Sequence, residues 1–245
     1  MSGFFITGVD TGAGKTTVTA SLIAYCKRKG MHVGYMKPIE TGVDPECYSS
    51  ANSDAQFLAE VAGDGARISD ICPVQLKTPA SPYQACLIEG TAVDMEQVLR
   101  AYRKLESERE IMLVEGIGGL SVPISRDRML YHLVREIALP ILVVAPIRLG
   151  ALNHVLLTLR AAHEEKLAVA GIILVDVGDV RGDPVLKDLG KMIAEFTPTP
   201  VLGTCPYLAP MAPEIFSEKL DFITEMLNLN QADNWLEHPL SHRDG

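Results

Sequence analysis

Several features that would assign this chain to a class are scarce or missing. Its five cysteines, at positions 26, 47, 72, 86 and 205, are odd in number and form no Cys-x-x-Cys pair. That speaks against a zinc or disulfide framework and fits free thiols in a reducing compartment. No apolar run is long enough to span a bilayer, and no signal region precedes the first apolar run, so a soluble cytoplasmic protein is expected. Basic charge is in deficit: 22 Lys and Arg stand against 31 Asp and Glu, a net charge of −9. This argues against nucleic-acid and anionic-membrane partners, while leaving room for a local positive pocket that takes a small anion. Internal repeats and low-complexity segments are also absent.

What is present is enough for one sizeable core: 245 residues, 47% of them hydrophobic. The most informative stretch is Thr7-Gly8-Val9-Asp10-Thr11-Gly12-Ala13-Gly14-Lys15-Thr16-Thr17. It follows the apolar run Phe4-Phe5-Ile6 and opens a helical pattern from Thr16 to about Lys29. Strand, Gly-rich loop, Lys-Thr and helix in that order make a phosphate-binding loop. Its glycines let backbone N–H groups turn onto an anion, and the new helix adds the positive end of its dipole. Lys15 can reach the outer phosphates and the Thr16 hydroxyl can ligate Mg²⁺. Val9 occupies the place where the usual pattern has its first Gly, and Gly8 lies one residue earlier, so the loop is a variant.

Apolar runs then alternate with helical patterns. Strands are expected at 32–37, 111–114, 141–145, 169–175 and 201–203, and helices near 53–62, 94–105, 128–138, 151–165, 183–195 and 213–227. The strand runs are continuously apolar, as in parallel strands covered on both faces. The expected fold is a doubly wound, mostly parallel α/β sheet of the P-loop NTPase type, one domain over 1–227, with a polar, loosely held tail over 228–245.

Ligands of such sheets bind beyond the carboxyl ends of the strands. Lys37 closes the second strand and should emerge beside the phosphate loop, although a solvated Lys at a strand end is common. Ser53-Asp54 opens a helix, either as a cap alone or with Asp54 as a second oxygen ligand for a metal. Glu115, delivered by four apolar residues to a strand tip and followed by Gly116-Ile117-Gly118-Gly119, suits a Walker-B-like acid beside Thr16. The turn Leu149 to His154 leads into a helix whose N–H groups can take a carboxylate or serve only as structure. His132, His154 and His163 fall within helical patterns, and His238 and His242 lie i,i+4 in the tail; all five read as packing or solvated groups.

Six blocks in order carry a family resemblance: residues 7–16, Lys37-Pro-Ile-Glu-Thr-Gly42, Asn52-Ser-Asp54, Pro79-Ala-Ser-Pro82, Glu115-Gly-Ile-Gly-Gly119 and Leu149-Gly-Ala-Leu-Asn-His154. Together they resemble the dethiobiotin synthetases of biotin synthesis, over residues 3 to about 210. The resemblance implies an ATP-dependent ligation of CO₂ (or bicarbonate) onto 7,8-diaminononanoate through a carbamate and a carbamic-phosphoric anhydride. It implies Thr11, Lys15 and Lys37 as catalytic residues and Thr16, Asp54 and Glu115 around Mg²⁺. Gly12, Ala13, Gly14, Lys15, Thr16, Thr17 and Glu115 would hold the nucleotide, with Val175, Pro206, Tyr207 and Leu208 near its base. Thr41, Ser81 and Gly118 would line the substrate site. It further implies a homodimer in which Gly150, Ala151, Leu152 and Asn153 of the partner subunit hold the substrate carboxylate. Lys15→Ala and Lys37→Ala are each expected to abolish turnover with the fold intact.

One departure bears on the nucleotide. Family members that select adenine tend to carry Asn where this chain has Val175, and valine offers no donor–acceptor pair to a base edge. Weakened adenine selection, or recognition by backbone around Pro206 to Leu208, is expected. A rival reading is a ParA/MinD-like switch ATPase that binds a protein partner. Such proteins carry a second Lys five residues before the loop Lys, and here that residue is Asp10.

Overall fold

The computed structural model describes residues 2–44, 46, 49, 53–178, 188–208 and 212–228. The tail beyond residue 228, with His238 and His242, lies outside the described residues, as do Asn52 and the first part of the helix expected at 183–195.

Among the described residues, eight strands and ten helices follow in chain order: β1 Ser2–Gly8, α1 Lys15–Arg28, β2 Val33–Met36, β3 Ile39–Thr41, α2 Asp54–Ala62, α3 Ile68–Ile71, β4 Val74–Leu76, α4 Pro82–Glu89, α5 Met95–Glu106, β5 Ile111–Gly119, α6 Leu130–Ile137, β6 Ile141–Pro146, α7 Ala151–Glu164, β7 Val169–Val175, α8 Leu189–Phe196, β8 Val201–Cys205, α9 Ile215–Glu218 and α10 Leu220–Met226. The apolar runs become an all-parallel sheet in the order β2-β5-β1-β6-β7-β8. Alternate residues of each strand feed opposite faces. Phe4 and Ile6 enter the core beneath α1, α2, α9 and α10, whereas Phe5 enters the core beneath α5, α6, α7 and α8. Burial on both sides is why these strands read as unbroken apolar runs.

β1 is central, paired with β5 on one side and β6 on the other. The β1–β5 register sets Ile6 opposite Glu115, so the loop that leaves β1 and the carboxylate on β5 reach the same sheet edge. Four elements escaped the pattern: β3, α3, β4 and α4. β3 and β4, three residues each, form a separate two-stranded parallel sheet, and α4 follows them. The helix expected at 213–227 is two short helices that meet at Lys219, whose backbone (φ −104°, ψ 14°) departs from helical values. The four described cysteines, 26, 72, 86 and 205, are free and buried. No helix among the described residues is long and apolar enough to cross a membrane.

Candidate active site

The loop between β1 and α1 turns on glycines. Gly12 and Gly14 sit at φ +70° and +94°, in the left-handed region where a side chain is strained. Gly14 is also hemmed in, because an added Cβ would lie 2.7 Å from Val175 Cγ1. It caps α1 without a side-chain bond, which leaves the helix start to backbone groups. Residues 11–16 line a cleft of 710 Å³ together with Lys37, Glu40, Thr41, Ser53, Asp54 and Gly118.

Lys37 stands at the centre of the polar side chains. β2 ends at Met36, so the next residue leaves the sheet edge, and Pro38 turns the chain into β3. The Lys37 Nζ donates to Asp54 Oδ2 and to Glu115 Oε1, each at 2.6 Å, and to the Gly116 carbonyl at 3.3 Å. The Thr16 hydroxyl lies 2.9 Å from Asp54 Oδ1 and 3.0 Å from Glu115 Oε1. Lys37 and Glu115 are 3% and 0% exposed, whereas the Asp54 side chain keeps 42% of its surface. Burial pushes the Lys37 pKa down, but the Glu115 and Asp54 charges outweigh it and hold the ammonium above its ordinary value. Asp54 is likewise pushed up by burial and carried below its ordinary value by Lys37.

Among the described residues no carboxylate forms an ion pair with Lys15. Its Nζ reaches the Asp10 carbonyl at 3.4 Å, and burial, followed by the charge of Lys37, lowers it to about 8. Asp10 binds the Thr11 N–H through Oδ1 at 2.7 Å and Arg148 through Oδ2 at 2.9 Å. The residue that stands where a switch ATPase has its second Lys is therefore paired with a cation from the β6–α7 turn.

Thr16, Asp54 and Glu115 offer a hydroxyl and two carboxylates, hard oxygen donors that suit Mg²⁺. Glu115 Oε2 is buried without a hydrogen-bond partner, as expected of a lone pair reserved for a cation. Among the described residues no cluster of three or more His, Cys, Asp or Glu forms a self-sufficient metal cage. Mg²⁺ has little need of one, since it binds through one or two carboxylates, phosphate oxygens and water.

The structure brings together most of the residues singled out from sequence, and separates others. Thr11, Gly12, Ala13, Gly14, Lys15, Thr16, Lys37, Thr41, Asp54 and Gly118 line the cleft, with Glu115 buried beneath Lys37. Thr17, Ser81, Val175, Pro206, Tyr207 and Leu208 do not line it. Val175 is 3% exposed and packs under Gly14, Leu208 is also buried in the core on the α1 side, and Ser81 precedes α4 as its cap residue. Gly150 to Asn153 open α7 and do not line the cleft either, while nearby Leu149 and Leu157 are 81% and 56% exposed. Glu40 was missed. It reaches α2 from a three-residue strand that has no periodicity to announce it, and the only signal was an acid lodged between Lys37 and Thr41. Burial raises its pKa, with Lys37 opposing.

Comparison with known proteins separates the enzyme from the switch. A family model described as an AAA domain matches residues 2–214. The solved MinC:MinD cell division protein complex of Aquifex aeolicus aligns with a TM-score of 0.59 at 15% identity, covering 93% of this chain and 95% of that one. A ParA family ATPase from Chlorobium tepidum aligns at 0.52 and 15%, covering 97% and 99%. At such identities these two establish the fold alone. Curated relatives are much nearer in sequence. The ATP-dependent dethiobiotin synthetase BioD of Bacillus subtilis strain 168 is 36% identical over 233 residues, 95% of this chain and 99% of its own. The protein of the same name from Methanococcus vannielii is 34% identical over 226 residues, 92% and 98%. A P-loop fold with Lys15, Lys37, Asp54 and Glu115 gathered at one sheet edge, and sequence kinship along nearly the whole length, place this chain in the dethiobiotin synthetase family of ATP-dependent cyclo-ligases.

Proposed function

We propose that the cleft closes the ureido ring of dethiobiotin from 7,8-diaminononanoate, CO₂ and a nucleoside triphosphate. One amine of the diamine takes up CO₂ and loses a proton, giving a carbamate. A carbamate oxygen then attacks the γ-phosphorus, the bond to the β-γ bridging oxygen breaks, and a carbamic-phosphoric anhydride and the nucleoside diphosphate result. The second amine attacks the carbamoyl carbon, loses a proton, and expels phosphate as the ring closes. The observation that carries this reading is Lys37, a buried ammonium held 2.6 Å from two carboxylates beside the phosphate loop.

The reaction brings two anions into contact, and the work of the site is to hold them aligned and neutralised. Lys15 and the backbone N–H groups of residues 12–16 bind the phosphates. Lys37, fixed by Asp54 and Glu115, faces the carbamate and the migrating phosphoryl group, with Thr11 and Thr41 orienting the diamine. Thr16, Asp54 and Glu115 would hold Mg²⁺, which when bound spreads the negative charge of the phosphates. A second depression of 380 Å³ shares Thr11 with the cleft and runs past Gly119 and Val122 to Leu157, a mainly apolar course that suits the alkyl chain. The substrate carboxylate would then meet Gly150 to Asn153 of a second subunit, and the exposed Leu149 and Leu157 are apolar surface that a homodimer would cover.

The test is phosphate release from a nucleoside triphosphate and Mg²⁺ with and without the diamine and bicarbonate. Release that requires both, with dethiobiotin as product, is expected; release indifferent to the diamine would return the chain to the switch ATPases.

A further inference from the structure

We propose that Glu40 is the positioning residue of this site: its buried carboxylate holds the first turn of α2 so that Asp54 is aimed at Lys37, Thr16 and the metal. The proposal rests on the reading of Asp54 as a metal ligand.

A helix leaves four backbone N–H groups without intrahelical partners at its start. In α2 all four are accounted for. The N–H of Ser53 donates to the Ser49 carbonyl at 3.1 Å, and that of Gln56 to the Ser53 hydroxyl at 3.2 Å. The other two, from Asp54 and Ala55, go to the two oxygens of Glu40, and the Ser53 hydroxyl donates to Glu40 as well, at 3.0 Å. A cap supplied by the helix's own neighbour would fix only the helix. This one comes from β3, a different sheet, and is 4% exposed.

That origin gives the cap a second consequence. Lys37 and Glu40 lie three residues apart on one short segment, separated by Pro38 and Ile39, and Pro38 has its φ fixed by its ring. Asp54 is therefore gripped twice by the same segment. Glu40 accepts from its backbone N–H, and Lys37 donates to its side-chain Oδ2. Asp54 Oδ1 is left to Thr16, across the cleft on α1. With Glu40 removed, the Asp54 backbone would keep only the packing of α2, and its carboxylate would lose a fixed origin. Stability alone does not call for this arrangement. Ser53 already supplies the usual side-chain cap, and a carboxylate buried beside that of Asp54 is a costly way to add to it. A ligand carboxylate held by outer partners is how metal sites obtain fixed geometry, and loss of such a partner weakens metal binding by about 10-fold to 100-fold.

The experiment titrates Mn²⁺ by electron paramagnetic resonance into wild-type protein, Glu40→Ala, Glu40→Gln, Ser53→Ala and Glu115→Gln, each with a non-hydrolysable nucleotide. Amide hydrogen exchange of residues 53–57 is followed in parallel, without metal. Glu40→Ala is expected to weaken Mn²⁺ by at least about tenfold and to speed exchange at Asp54 and Ala55. Glu40→Gln should fall between, since an amide oxygen still accepts an N–H, and it carries the test if Glu40→Ala does not fold. Ser53→Ala, which leaves the Asp54 N–H bonded, should bind Mn²⁺ as the wild type does. Wild-type Mn²⁺ affinity in both Glu40 variants, or equal weakening in Ser53→Ala, overturns the proposal. If wild type and Glu115→Gln take up Mn²⁺ alike, the metal reading fails instead, and unchanged exchange at Asp54 and Ala55 would then dispose of the positioning role on its own.

Discussion

Lys37→Met tests whether the centre of the site is a buried charge cluster whose parts depend on one another. The substitution swaps the ammonium for an apolar group of similar length. Glu115 is fully buried and one of its oxygens has no hydrogen-bond partner, so loss of Lys37 leaves it an uncompensated charge. Breaking a buried pair in this way costs about 3–5 kcal/mol. A domain has only about 5–15 kcal/mol in total, so the expectation from sequence that the fold survives Lys37 substitution unscathed is revised. Asp54, with 42% of its side chain exposed, adds little because solvent screens it. Both shifted groups contribute in full at pH 7. Asp54 is depressed, so its stabilisation is present above its ordinary 3.8 and lost as pH falls through the lower folded value. Lys37 is raised, so its stabilisation is present below 10.5 and lost only as pH rises through the higher folded value. Urea unfolding at neutral pH, without metal or nucleotide, is to be compared for wild type, Lys37→Met, Glu115→Gln and the double variant. The double variant should be more stable than Lys37→Met, because the orphaned charge has gone. Wild-type stability in Lys37→Met, or a double variant no better than the single, would refute the reasoning.

Two further predictions concern the nucleotide. Lys15 sits at about 8 in the free protein, so its charge is lost as pH rises through that value, and triphosphate affinity should fall above it; calorimetric titration on either side of pH 8 checks this, and Lys15→Arg, which keeps its charge, should flatten the profile. With Val175 packed under Gly14 and offering no hydrogen bond, kcat/KM for ATP, CTP and GTP should agree within about tenfold, the equivalent of one hydrogen bond of roughly 1.5 kcal/mol. A much larger ATP preference in direct competition would show that the base is read by another group.

The parts of the site legible in the sequence are those delivered by long apolar strands. Four apolar residues before Glu115, and a buried run ending at Met36, leave little choice about where Glu115 and Lys37 emerge, and the β1–β5 register places them beside the loop. Asp54 was ambiguous because Ser53-Asp54 caps a helix whatever else it does, and only the tertiary contact with Lys37 separates the two readings. Glu40 was not legible, since its partners are backbone N–H groups of a helix fourteen residues away, and a three-residue strand carries no period. Val175 is a different case: the resemblance alone put it near the base, and its side chain packs against Gly14 of the loop, a contact that no local pattern announces.

The charges in the cleft impose one more condition. Lys15 and Lys37 share it with Glu40 and Asp54, and Glu115 lies beneath, so ionised groups sum to an anionic site that, on the proposed reaction, receives a triphosphate and a carbamate. Lys37 cannot serve both partners at full strength, because its donors are already directed at Asp54 and Glu115. Lys15 alone points at nothing stronger than a carbonyl. On the proposed reaction such a site binds anions well only if something neutralises the carboxylates at the same moment, and the partnerless oxygen of Glu115 is where a cation would do so. Nucleotide affinity should therefore rise with Mg²⁺ more steeply in the wild type than in Glu115→Gln, where an acidic group has already been removed. Parallel slopes for the two proteins in a calorimetric titration would mean that the carboxylates are structural and that the loop binds the phosphates unaided.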